Sequence, residues 1–231
     1  MTILALDASS VSCSACVSEN GKVLAEAFIN TALTHSVTLL ANIKKVLEQS
    51  EKTIEDIDLI AVTAGPGSFT GVKIGVACAK GLAFERDIPC FAVSSLAAAA
   101  ENVSLFPGTV IAVMDARRKS FYNAAFKNGK RVYADRQSSV DELLASLPDA
   151  EPVVAVGDGA ELFVRLCSEH GRENIKAAPS FLRYIKASAV AELALRGDCE
   201  KRDCVSLAPV YLRAPQAERE RLERENAAKQ N

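Results

Sequence analysis

Histidine is scarce in this 231-residue sequence: His35 and His170 are the two present, and they do not cluster. A second C-x-x-C to accompany Cys13 and Cys16 is also missing, so nothing completes a structural zinc site around that pair. The pair falls in Val11–Val17, which reads as a strand, and a spacing of three puts the two thiols on opposite faces. The cysteine total is seven, an odd number scattered along the chain, and reads as reduced small hydrophobes rather than a disulfide framework. Cys199 and Cys204, in a charged loop, are the pair that a disulfide could still join. Long apolar runs are absent. The start, Met-Thr-Ile-Leu-Ala-Leu, meets Asp7 with no basic segment before it, which predicts neither a signal peptide nor a membrane span and points to the cytoplasm. Strong net charge is absent too, at −2, so most phosphate contacts to any nucleic acid would have to come from another molecule.

What is present is an ordinary globular balance, 49% apolar and 24% charged, enough to bury a sizeable core. Ile3–Leu6, Val11–Val17 and Val23–Ile29 read as three strands, the last two joined by a hairpin turn at Glu19-Asn20-Gly21-Lys22. A helix capped by Thr34 or Ser36 follows through Gln49, then a buried strand at Asp58–Thr63, a helix at Val72–Phe84, a strand at Cys90–Val93 and an alanine-rich helix through Ala100. After the Pro107-Gly108 break the order recurs. Strands are expected at Val110–Met114, Phe121–Phe126, Arg131–Tyr133 and Val153–Val156, and helices at Asp141–Leu147, Ala160–His170 and Ser188–Arg196. Strands first and then alternating helix and strand, given twice, predict two related α/β domains, at 1–103 and 104–214. Residues 215–231 read as a charged tail, acid and base alternating from Glu218 to Glu225.

The most specific segment is Val62-Thr63-Ala64-Gly65-Pro66-Gly67-Ser68-Phe69-Thr70-Gly71-Val72-Lys73-Ile74-Gly75. A strand running into a glycine-rich turn at a helix start can offer backbone N–H groups to an anion; it can equally be a turn kept tight for packing. The Gly-Lys-Ser/Thr of a P-loop is not there. In the helix that follows, Gly71, Gly75, Ala79 and Ala83 leave one face nearly bare, while Val72, Val76, Ile74, Cys78 and Leu82 make the remainder apolar. Such a helix must be covered nearly all round. The preceding helix offers two apolar stripes, Leu40-Ile43-Leu47 and Leu39-Val46. Either the two helices bury each other inside one domain or part of the pair meets another chain. Asp115 with Arg117 and Arg118 forms a charged turn after a strand, either a site or an ion pair at the domain interface.

Four segments together, the Gly65–Gly75 run, Asp7-Ala-Ser, Asp115-Ala-Arg-Arg and Pro209-Val-Tyr-Leu-Arg213, resemble the TsaB (YeaZ) family across residues 1–213. The resemblance implies two actin-like (ribonuclease H-like) domains, each a mixed sheet flanked by helices, within the actin, sugar-kinase and heat-shock ATPase superfamily. It also implies a role in the synthesis of threonylcarbamoyladenosine in tRNAs that read codons starting with A. In that role the chain is an activating subunit without catalytic residues of its own. Its implied partners are a catalytic paralogue of TsaD type and a small ATPase of TsaE type, and tRNA is met indirectly; a homodimer of the chain alone is expected from the apolar face of the helix pair. The docking residues expected on this basis are Leu39, Ile43, Val46, Gly71, Gly75, Cys78, Ala79, Leu82 and Ala83.

Where the catalytic paralogue carries an Asn-His-x-x-x-His metal motif, this sequence reads Val93-Ser94-Ser95-Leu96-Ala97-Ala98-Ala99, with Ser95 and Ala99 in place of the histidines. Neither is a competent ligand, so no metal site is expected. Asp7-Ala8-Ser9-Ser10 occupies the place of the superfamily's first phosphate loop but lacks its glycine, and Gly157-Asp158-Gly159 is the nearest counterpart to the second. A nucleotide or anion at Asp7, Ser9, Ser10, Gly65 and Gly67 is therefore one expectation, and no cofactor held by the chain itself is the other, with ATP or ADP entering at or with the partner complex. An ATP-dependent phosphotransferase of sugar-kinase type is the alternative activity. A peptidase would need a ligand cluster or a general base, and the sequence offers neither.

Overall fold

Short apolar runs separated by turn residues fold into two mixed sheets. The computed structural model describes residues 1–31 and 33–212, so the expected tail and Arg213 lie outside the described residues. The first sheet begins with β1 (Thr2–Asp7), β2 (Cys13–Glu19) and β3 (Lys22–Ile29), an antiparallel meander. The β2–β3 turn has Asn20 and Gly21 at φ 52° and 83°, the left-handed pair that a two-residue hairpin requires. After α1 (His35–Gln49) comes β4 (Leu59–Gly65), then α2 (Phe69–Phe84), β5 (Cys90–Ser94) and α3 (Ser95–Glu101). Strands β1 and β4 pair in parallel and are buried on both faces, which is why both read as nearly continuous apolar runs.

The second sheet repeats the plan with β6 (Thr109–Asp115), β7 (Ser120–Lys127), β8 (Lys130–Arg131), β9 (Arg136–Ser139), α4 (Val140–Ser146), β10 (Val153–Val156), α5 (Ala160–Glu169) and β11 (Ile175–Ala177). A short α6 (Ser180–Arg183) leads to α7 (Ala187–Arg196) and β12 (Glu200–Arg202). Strand order is β12-β5-β4-β1-β2-β3 in one sheet and β11-β10-β6-β7-β8 in the other, with β9 paired to β7. Helices α1 and α2 cover the outer face of the first sheet, α3 and α7 lie between the sheets, and α4 and α5 cover the far face of the second. Cys13 and Cys16 fall in the cores on opposite faces of the first sheet, as a spacing of three requires.

Several expectations need correction. The segment 187–212 does not stay with the second unit: α7 packs on β1 and β2, and β12 extends the first sheet beside β5. Lys80 Nζ, on α2, donates to the carbonyls of Val205 and Leu207 at 2.8 and 3.0 Å, and Val210 N donates to Ala64 O at 2.6 Å. The expected domain 104–214 therefore loses its last stretch to the first. The strand expected at Arg131–Tyr133 stops at Arg131, and β9, β11 and β12 were not foreseen, being three or four residues long, with β9 and β12 made of polar side chains. Thr34 takes the cap position of α1, but its hydroxyl lies 3.3 Å from Ser36 Oγ and caps nothing. Helix α2 starts three residues early, at Phe69, because Ser68 caps it by accepting from Gly71 N at 3.2 Å. Cys199 and Cys204 are free thiols packed into the cores on opposite faces of the first sheet, which excludes a disulfide between them.

Candidate functional site

Strand β1 delivers Asp7 to the floor of the cleft between the two sheets, fully buried. Its Oδ1 accepts from Ser9 N (3.0 Å), Ser9 Oγ (2.6 Å) and Thr63 Oγ1 (2.7 Å), while Oδ2 is buried with no hydrogen-bond partner. Burial pushes its carboxyl above the ordinary range, against the opposing pull of the Ser9 and Thr63 hydrogen bonds and of His35. The ring of His35, first residue of α1, lies against the same turn, with Nε2 donating to Ser10 O at 2.7 Å. That Nε2–H tautomer leaves Nδ1 as a buried acceptor without a partner. His35 is thus a half-buried packing residue at a helix start rather than a surface one.

The glycine run packs onto this turn. A Cβ on Gly67 would collide with the carbonyl of Ser9, one on Gly71 with that of Ala8, and one on Gly65, at φ 121°, with that of Val210. Ser68 N donates to Ser9 O at 2.8 Å. Backbone of the chain itself thus fills the space that an anion would need beside Gly65 and Gly67, so close packing accounts for these glycines. Of the expected anion residues, the fold brings Asp7, Ser9, Ser10 and Gly67 together. The hydroxyls of Ser9 and Ser10 are already engaged, with Asp7 and with Ser12 Oγ (3.1 Å).

The second unit contributes a matching strand end. Gly157 closes β10 at φ 98° as Gly65 closes β4, and Asp158 behind it is the cleft residue whose weight the sequence did not convey. Asp158 Oδ1 accepts from Asp115 N at 3.3 Å, and its carboxylate also takes a hydrogen bond from the backbone of Val11 in the facing unit. Burial, then the negative charges of Asp115 and Asp7, raise it to about 6. The negative charges of Asp115 and Asp7 that act on Asp158 disfavour a bare phosphate at this strand end. Asp115 and Arg117 form the ion pair, at 3.5 Å and inside their own turn, with Asp115 part-buried and Arg117 exposed.

The outer face of α1 and α2 differs from the one expected to dock a partner. Leu39, Ile43, Val46, Gly71, Gly75, Ala79 and Ala83 are all buried within the chain, and Cys78 and Leu82 are half-buried. The space beside the small-residue stripe is taken by β4 and by the turn after β1: a Cβ on Gly75 would sit 3.4 Å from Val62 Cγ2 and 3.8 Å from Ala8 Cβ. Uncovering Leu39, Ile43 and Val46 to serve a partner would cost roughly 5 to 9 kcal/mol, so those three are core. What faces outward is Val37 (66% exposed) and Leu40 (59%) on α1, and Ala77, Gly81 and Phe84 (74%) on α2. The signal for this was available in the register: Ala77 and Gly81 are offset by two from the buried stripe.

Ser95 and Ala99 lie one turn apart in α3, fully buried between the sheets. Among the described residues no three His, Cys, Asp or Glu side chains are grouped to hold a metal ion, and no helix is long and apolar enough to cross a membrane.

Comparison with known proteins agrees with this architecture. The family described as tRNA N6-adenosine threonylcarbamoyltransferase matches residues 22–220. The tRNA threonylcarbamoyladenosine biosynthesis protein TsaB of Bacillus subtilis (strain 168) is 32% identical over 231 residues, covering 96% of this chain and 99% of its own. Among solved structures, an uncharacterised protein with similarity to peptidase YeaZ from Pseudomonas aeruginosa superposes with a TM-score of 0.76 at 25% identity, covering 92% of this chain and 99% of that one. Component A of the Acidaminococcus fermentans (R)-2-hydroxyglutaryl-CoA dehydratase shares the fold alone, with a TM-score of 0.50 at 16% identity, 85% of this chain and 98% of that one being covered. With four segments of its sequence, its duplicated sheet order and these relatives in agreement, the chain belongs to the TsaB (YeaZ) family, on an actin-like α/β fold.

Proposed function

We propose that this chain, a protein of tRNA threonylcarbamoyladenosine biosynthesis, is the non-catalytic activating subunit of the transfer step. It docks the outer face of α1 and α2 against a catalytic paralogue of TsaD type, and the complex, working with a small ATPase of TsaE type, modifies adenosine in tRNAs reading codons that start with A. The observation that carries this reading is the exposure of apolar and small residues on the outer sides of the two helices, Val37 and Leu40 on α1 and Ala77, Gly81 and Phe84 on α2. Ala77 and Gly81 permit another helix to approach closely, and Val37, Leu40 and Phe84 supply the apolar area that water would otherwise cover. The same face serves a homodimer when the paralogue is absent. Ser95 and Ala99 supply no ligand for the metal of the catalytic paralogue, in keeping with a subunit that acts by holding its partner in a competent conformation. In this reading the chain works in the cytoplasm, holds no cofactor itself, and meets ATP or ADP through the assembled complex.

Light scattering of the chain mixed with the catalytic paralogue of the same organism tests the docking. Wild type forms a one-to-one complex. Leu40→Glu combined with Ala77→Glu puts two charges into the interface and weakens it by about 100-fold, with the melting temperature of the free chain unchanged. No complex at micromolar concentration, or an unweakened one in the variant, overturns the reading. Saturable ATP binding by the chain alone would instead favour the phosphotransferase.

A further inference from the structure

Three hairpin-type turns in the chain pass through the left-handed backbone region, and two of them use the residues that region favours. Asn20-Gly21 between β2 and β3 has φ 52° and 83°, and Asn128-Gly129 between β7 and β8 has 51° and 71°. The third, between β6 and β7, is different. Asp115 pairs with Phe121, and the loop beyond them holds Arg117, Arg118 and Lys119 at φ 67°, 55° and 57°. A three-residue hairpin loop ordinarily needs one left-handed residue, at its last position, and that residue is ordinarily glycine. Here three bulky cationic residues in succession take a conformation that none of them favours.

The loop is held in place. Ala116 N donates to Ser120 O at 3.0 Å, Ser120 N to Arg117 O at 3.2 Å, and Arg117 N to Asp115 Oδ1 at 2.7 Å. Arg117 is 87% exposed and pairs loosely with Asp115. Arg118 and Lys119 are exposed and, among the described residues, have no ion-pair partner. Local rules broken at one turn and kept at two equivalent ones mark a position where the side chains matter more than the turn.

The geometry points to the Arg117–Lys119 loop as a contact made by this chain itself to the phosphodiester backbone of RNA. Three cations within three residues suit a row of phosphates; a protein interface, which also uses arginine, would set an apolar or aromatic anchor beside them, and the loop has none. The loop follows β6, whose buried Met114 would lie 3.1 Å from a Cβ on Gly67, so the strand that carries the basic turn packs against the glycine run. A local contact of this kind is compatible with a net charge of −2, because the remaining phosphate contacts can come from the partner. The inference rests on the proposed function for its choice of RNA, since that reading brings tRNA to the complex.

The test is a titration of a labelled tRNA transcript with the complex of this chain and its catalytic paralogue, from about 50 to about 300 mM salt. The variant Arg118→Asn/Lys119→Gly copies the other two hairpins. It is expected to raise the melting temperature of the chain by about 2–4 °C. At the same time it weakens tRNA binding by about tenfold or more at 100 mM salt and lowers the salt slope by about 1.5. The charge-conserving Arg118→Lys/Lys119→Arg keeps both affinity and slope. Unchanged affinity and slope in the first variant, with the complex intact by light scattering, overturn the inference. A parallel loss of complex assembly in that variant also overturns it, by making the loop a protein contact. Failure of the wild-type chains to assemble at all counts against the proposed function instead.

Discussion

Gly71→Ala is expected to destabilise the chain by about 3 kcal/mol, an effect large for the addition of one methyl group. The added Cβ would collide with the carbonyl oxygen of Ala8 and stand 3.2 Å from Cδ2 of His35. The first neighbour is backbone, at the turn that also carries Asp7 and Ser9, so relief requires α2 to move away from the first sheet. Overpacking of this kind costs about 1–3 kcal/mol where neighbours can adjust and more where they cannot. In a chain of this size that lowers the melting temperature by about 6–12 °C. Gly81→Ala in the same helix is the control. A Cβ there meets nothing within 4 Å, and replacing an exposed helical glycine by alanine should stabilise by about 0.8 kcal/mol. Opposite signs in denaturant melts support the packing described; equal effects would mean that the glycine run does not lie against the β1–β2 turn.

The second expected result concerns Asp158 and Asp7 and is read as stability against pH. Both carboxyls are raised in the folded chain, Asp158 to about 6. The folded state therefore binds more protons than the unfolded one above the ordinary aspartate range. The stabilising contribution is complete below the unfolded pKa, near 4, and is lost as pH rises through the folded value. Asp158→Asn keeps Oδ1 as acceptor for the Asp115 N–H and removes the charge that titrates. Relative to wild type, this variant should gain stability steadily between pH 4.5 and pH 7.5, by on the order of 2 kcal/mol at the upper end. Asp7→Asn should follow the same direction, because the carbonyl replaces Oδ1 for Ser9 and Thr63. Carboxylates such as the exposed Glu142, lowered by its Ser139 hydrogen bonds, and the half-buried Glu151, lowered by Lys127 and Thr109, act in the opposite sense but cancel in the difference. A difference that stays flat with pH would show that neither aspartate is desolvated in the folded chain.

These two results concern the same place, and their logic differs from that of a nucleotide pocket. The turn Asp7–Ser12 receives α2 on one side through Gly67 and Gly71, and Asp158 of the second unit on the other through Val11. The cleft floor therefore couples the relative placement of the two sheets to the seat of α2, whose outer side is the proposed docking face.

Much of this was legible in the residues. The Asn20-Gly21 hairpin, the buried runs of β1, β4 and β10, and the duplicated order of strands and helices follow from turn chemistry and from periods of two and 3.6. The family motifs did the same for the fold. Asp7 and the glycine run were recognisable as special. Their roles were less so, because a glycine needed for close approach and one needed for a ligand look alike until the approaching atom is known.

By itself, then, the sequence determined the local elements, the two-sheet plan and the family, since each depends on residues adjacent in the chain or on a repeated spacing. Tertiary structure decided the rest. It chose which side of α1 and α2 is core, making Leu39, Ile43 and Val46 interior and leaving Val37, Leu40 and Phe84 outside. It sent α7 and β12 back to the first sheet, and it placed Asp158 against the turn of Asp7. Periodicity states which side chains share a face; it does not state what covers that face. Burial, desolvation and backbone collisions belong to pairs of elements distant in sequence, so they come into being only when the chain has folded.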